Sequence, residues 1–89
     1  MKKETIKKRL GKANVNKGTA SYRLLTEWLN ADGNNVIRPC WTSGRGRFTT
    51  SLDYTEQLKS LLTSLRVCYI SGNDAPRGGK SGNYIKILL

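Results

Sequence analysis

The chain has 89 residues, a net charge of +10 from 16 Lys and Arg against 6 Asp and Glu, and 37% apolar residues. That length sets a single domain with one modest core. No apolar run reaches the length of a membrane span and none follows the charged start as in a signal peptide, so a cytoplasmic protein with no membrane partner is expected.

Residues 1–18 carry Lys2, Lys3, Lys7, Lys8, Arg9, Lys12 and Lys17 against Glu4 alone. Ile6, Leu10 and Ala13 have helical spacing, so this region reads either as a short helix ending near Gly11 or as a basic arm that orders on a partner. Residues 19–89 read as one α+β domain. Its first helix, capped by Thr19 or Ser21, runs to about Asn30 on a stripe of Leu25, Trp28 and Leu29, with Tyr22 and Leu24 flanking. Turn formers at 30–35 end it. Residues 36–41 read as a strand, with Pro39 arguing for an edge. Residues 42–47 form a polar turn holding Arg45 and Arg47, and residues 48–52 a second strand, giving a hairpin across Arg45.

The stretch 53–66 has the strongest helical pattern. Tyr54, Leu58, Leu61, Leu62 and Leu65 form one stripe, and Asp53 with Glu56 makes a capping-box pattern. Residues 67–70 and 84–89 have strand composition. In the second of these, Ile85, Ile87 and Leu89 share one face and Tyr84, Lys86 and Leu88 the other. The connection 71–83 holds Gly72, Gly78, Gly79, Gly82, Pro76, Arg77 and Lys80 with almost nothing to bury, so it reads as an exposed hairpin loop. The expected fold is a small single α+β domain, a mainly antiparallel sheet of two hairpins packed on two helices.

Chemistry-bearing patterns are few. Cys40 and Cys68 are the only cysteines and there is no histidine. Two thiols do not complete a zinc site, and in a chain with no secretory signal they read as reduced and mostly buried. The run 78–82 suggests a phosphate loop, but Asp74 stands where the first glycine of that motif belongs, and a strand rather than a helix follows. Without histidine and with scattered carboxylates, neither catalysis nor a metal or organic cofactor is expected.

Helix 53–66, strand, basic loop and final strand together resemble in shape the last helix and wing of a winged-helix domain. The resemblance covers about 53–89. It implies a helix entering the DNA major groove and a wing touching backbone or minor groove.

The expected function is non-enzymatic binding of nucleic acid, DNA or RNA. Arg45, Arg47, Arg77 and Lys80 would meet phosphates from two hairpin loops, and Lys7, Lys8, Arg9 and Lys12 from the N-terminal region. Trp41 or Tyr84, where exposed, would stack on a base. The alternative is a small phage or mobile-element protein that inhibits or adapts a protein partner by docking on its acidic surface.

Overall fold

A computed structural model describes the backbone of residues 1–31, 35–43, 50–79 and 82–89, and the side chains of all these except 41–43 and 50–52. Three helices and five strands are described, α1 (Lys3–Lys12), α2 (Ala20–Asn30), β1 (Val36–Ile37), β2 (Cys40–Ser43), β3 (Thr50–Asp53), α3 (Thr55–Ser64), β4 (Tyr69–Asn73) and β5 (Asn83–Ile87). The result is a small α+β domain, and none of its described helices is long and apolar enough to cross a membrane.

Of the two forms open to residues 1–18, the helix is the one observed, over Lys3–Lys12. Ten residues make a marginal helix in water. Packing supplies what propensity does not, since Ile6 and Leu10 are 0% and 5% exposed within the core cluster. Burying two such side chains stabilises by about 3–6 kcal/mol in all. Two basic side chains then fasten α1 to the other helices. Lys3 Nζ donates to the carbonyls of Trp28 (3.3 Å) and Ala31 (3.0 Å) at the C-terminal end of α2, and lies 4.6 Å from the centre of the Trp28 ring. Arg9 Nη1 donates to the carbonyls of Leu65 (3.1 Å) and Arg66 (3.0 Å) just past α3. The Ala31, Leu65 and Arg66 carbonyls lie just past a helix C-terminus, and the Trp28 carbonyl, which also accepts the Ala31 N–H at 3.2 Å, lies in a last helical turn, where positive charge meets the dipole favourably.

Thr19 caps α2 by accepting the Tyr22 N–H at 3.3 Å. A second free donor of that first turn, the Ser21 N–H, reaches across to Gln57 Oε1 of α3 at 3.1 Å. The expected stripe of Leu25, Trp28 and Leu29 is buried against the core.

The expected strand over 36–41 is two short strands in different sheets. Pro39, fully buried, lies between them, and its carbonyl accepts the Tyr54 N–H at 2.8 Å. Proline has no N–H to continue a ladder, so the chain leaves one sheet at this point and enters the other. β2 and β3 pair antiparallel from Cys40↔Asp53 to Ser43↔Thr50, as expected of a hairpin across Arg45. The turn residues 44–47 themselves, with Arg45 and Arg47, lie outside the described residues, as does Phe48.

Helix α3 starts one residue later than its capping-box pattern suggests. Asp53 is the last residue of β3, and Tyr54 is the N-cap without a side-chain bond. Asp53 still serves the helix start, because its carboxylate accepts both the N–H (3.0 Å) and the hydroxyl of Thr55. Glu56 does not close a capping box but pairs with Lys59 at 3.5 Å. Leu58, Leu61, Leu62 and Leu65 are buried as their spacing predicts.

The second sheet is antiparallel, in the order β1-β5-β4. Ile85 and Ile87 of its central strand are both 0% exposed, on the face toward the helices. Leu89, expected to share that face, lies past the end of the strand and is exposed. The two cysteines form no disulfide and divide, Cys40 buried and Cys68 exposed, against the expectation that both are mostly buried.

Candidate nucleic-acid interface

Cationic residues converge where the C-terminal ends of α1 and α3 meet. A groove of about 380 Å³ there is lined by Arg9, Lys12, Ala13, Ser64, Leu65 and Arg66. Its described lining holds three cations and no carboxylate. Lys8, one helical turn before Lys12 and therefore on the same side of α1, extends the positive line outward, with Lys7 beside it. Lys7, Lys8 and Lys12 are all exposed, and none is ion-paired to a described residue. Arg9 is not a free cation as expected for an arm. Both hydrogens of its Nη1 are spent on the carbonyls after α3. The Nε and Nη2 hydrogens remain, and together they form the side-on fork that fits a phosphate. The guanidinium is thereby held in one place before any ligand arrives, which lowers the entropy lost on binding.

Arg66 was legible only as a cation at the end of a helix. Its backbone is more informative. It has φ +57°, the one positive φ of a non-glycine residue among those described. Its N–H bonds to the Thr63 carbonyl and the Val67 N–H to the Leu62 carbonyl, both at 3.0 Å. This pair of bonds defines a helix stop whose left-handed position usually belongs to glycine. An L-residue there costs about 1–2 kcal/mol. The chain thus keeps a strained arginine in the wall of the groove.

The connection between β4 and β5 is built rather than loose. Asn73 Nδ2 donates to the Gly79 carbonyl and to Asn83 Oδ1, both at 2.8 Å, while Asn73 Oδ1 accepts the Ala75 N–H at 2.9 Å. A Cβ on Gly82 would sit 2.4 Å from Ala75 Cβ and 2.5 Å from its backbone nitrogen, so the two limbs close on a glycine. Arg77 is exposed in the turn of this loop, whereas Lys80 lies outside the described residues. The loop's one carboxylate, Asp74, is taken by Arg38 in a two-bond pair (3.0 and 2.6 Å) that the sequence does not reveal. Hydrogen bonding from Arg38, helped by its charge, holds the Asp74 carboxyl below the usual carboxylate range and Arg38 above its own.

Trp41 lies in β2, and its side chain is outside those described. Tyr84 is partly exposed on the sheet face away from the helices. Arg9 and Lys12 of the expected binding residues are thus brought to one groove with Arg66, while Arg77 stands apart on its loop.

Two features carry no such role. The outward side chains of α3 are Glu56, Gln57, Ser60, Thr63 and Ser64, with Lys59 paired to Glu56 and Gln57 bonded to α2. That face has little to offer phosphates. A somewhat larger cleft of about 410 Å³ at the start of α3 holds Asp53 and Glu56 against Lys59, the wrong balance for a polyanion. Among the described residues no cluster of metal-binding side chains occurs. No family model, curated protein or solved structure matches the chain.

Proposed function

We propose that this protein binds nucleic acid without catalysis, seating the phosphate backbone in the groove between α1 and α3, with Arg77 as an outlying contact. The observation that carries this reading is Arg66, an arginine at a left-handed helix stop beside Arg9 and Lys12, in a groove with no carboxylate among its described lining residues. Glycine there would relieve the backbone, so the guanidinium offers something other than stability.

The test is a fluorescence-anisotropy titration against DNA and RNA at two salt concentrations. With four to six of the cations Lys7, Lys8, Arg9, Lys12, Arg66 and Arg77 meeting phosphates, log K falls against log salt with a slope of roughly −3 to −5. A flat salt response sinks the proposal. A partner captured from lysate that survives nuclease treatment, with no binding to any oligonucleotide, would instead favour an acidic protein surface as the ligand.

A further inference from the structure

Among the described residues, the outer face of the three-stranded sheet is covered by no helix, since the helices pack on the other side, and the Arg38–Asp74 pair closes one end of it. Register sets Val36, Lys86 and Ile70 in one row across β1, β5 and β4, and the next outward row holds Tyr84 beside Gly72. Ile70 and Leu88 are 49% and 44% exposed, and Lys86 is exposed between them.

Tyr84 has an unusual seat. A Cβ placed on Gly72 would lie 2.6 Å from its Oη, 2.7 Å from Cζ and 3.0 Å from Cε1. A point nearly equidistant from Oη and Cζ yet this far from Cε1 is above the ring plane, not beside its edge. The phenol therefore lies face-down on the bare backbone of Gly72. Its other face points away from the sheet. No carboxylate lies within β1, β4 or β5, and Asp74, just past β4, is held by Arg38.

We infer that this open sheet face is a stacking platform for single-stranded nucleic acid, with a base on the exposed face of Tyr84 and the adjoining phosphate on Lys86. The inference rests on the proposed nucleic-acid reading and adds the strand type. A flat aromatic face beside an unpaired ammonium is the combination that holds an unpaired base and its backbone, whereas bases inside a duplex have no free face to offer. Ile70 and Leu88 provide apolar area for sugar and base edges. A second copy of the chain is a poor occupant, because two-fold pairing across this face would bring Lys86 toward its counterpart on chains of net charge +10.

The probes are a labelled oligothymidylate of about 12 nucleotides, within the site size of small single-strand binders, and a duplex of the same length. The expected result is tighter binding of the single strand. Tyr84→Leu lowers that affinity about 5- to 100-fold, the equivalent of one lost stack, and leaves duplex affinity unchanged. Tyr84→Phe binds as the native chain does. Lys86→Glu, at an exposed position remote from the core, weakens the single strand without depending on how Tyr84→Leu folds. Equal binding of the single strand by the native chain, Tyr84→Leu and Lys86→Glu overturns the platform while leaving the groove intact. Absence of binding to either probe removes the groove reading and the platform together. Self-association in sedimentation, lost in Tyr84→Leu, overturns the platform in favour of a second copy.

Discussion

Replacing Arg66 by glycine should make the protein more stable and a worse binder. The Arg66 backbone sits at φ +57° and closes the α3 stop through its own N–H and that of Val67. Its carbonyl receives Arg9. Glycine keeps all three backbone bonds. It removes the left-handed penalty of about 1–2 kcal/mol, and gives back about 0.5–1 kcal/mol through the freedom of glycine in the unfolded chain. The net gain is on the order of 0.5–1 kcal/mol, which in a domain of this size raises Tm by about 2–8 °C. Arg66→Ala is the control, since it deletes the charge but keeps a Cβ at positive φ, and should show no such gain. Both variants lose one phosphate contact, so the salt slope for nucleic acid becomes shallower by about one. Thermal melting by circular dichroism and anisotropy at two salt concentrations read the two effects separately. Arg66→Gly that melts lower than the native chain would refute the strain argument. Unchanged affinity and slope would refute the role of Arg66 in the groove.

Lys3→Met keeps the stem against Trp28 but removes the ammonium from the Trp28 and Ala31 carbonyls, and should cost about 1 kcal/mol, read as a melting temperature lower by about 4–8 °C, with nucleic-acid affinity nearly unchanged. Two glycines should respond oppositely to alanine. Gly11 in α1 has nothing within 4 Å of a built Cβ, so Gly11→Ala should stabilise by about 0.5–1 kcal/mol. Gly82→Ala collides with the Ala75 backbone and should destabilise by about 1–3 kcal/mol, with faster amide exchange across the β4–β5 loop. The Asp74 carboxyl, followed by NMR, should titrate below the ordinary value of about 3.9 and return to it in Arg38→Gln. Because the folded-state pKa is depressed, whatever the pair contributes to stability is present above the unfolded value and lost as pH falls through the folded one. An unshifted Asp74 midpoint in the native chain would mean the pair does not persist in solution.

The parts of the fold that could be read from sequence are those with local periodicity. The leucine stripes of α2 and α3 and the alternation of Ile85 and Ile87 each specify a buried face without reference to the rest of the chain. The N-terminal helix stayed open because Ile6 and Leu10 alone do not distinguish a packed helix from a basic arm. What decides it is Lys3 and Arg9 reaching carbonyls 25 to 57 residues away, a tertiary event with no local trace. Pro39 was visible as a ladder breaker, but that it separates two sheets follows from where β5 and β3 lie. The binding residues divide in the same way. The excess of positive charge in residues 1–18 was plain, yet the groove needs Arg66, which lies beside Lys12 only because α1 is pinned at the end of α3. The tie between Arg38 and Asp74 was equally hidden, since it joins the end of β1 to the end of β4 across the central strand.

The most direct test of the central claim is an amide NMR titration of the native protein with a short oligonucleotide at low salt. Binding in the groove predicts that the resonances of Lys8, Lys12, Ser64 and Arg66 move together along one saturation curve, while Glu56 and Gln57 at the start of α3 stay in place. Shifts that leave the α1–α3 groove untouched, or no shifts at all, would contradict it.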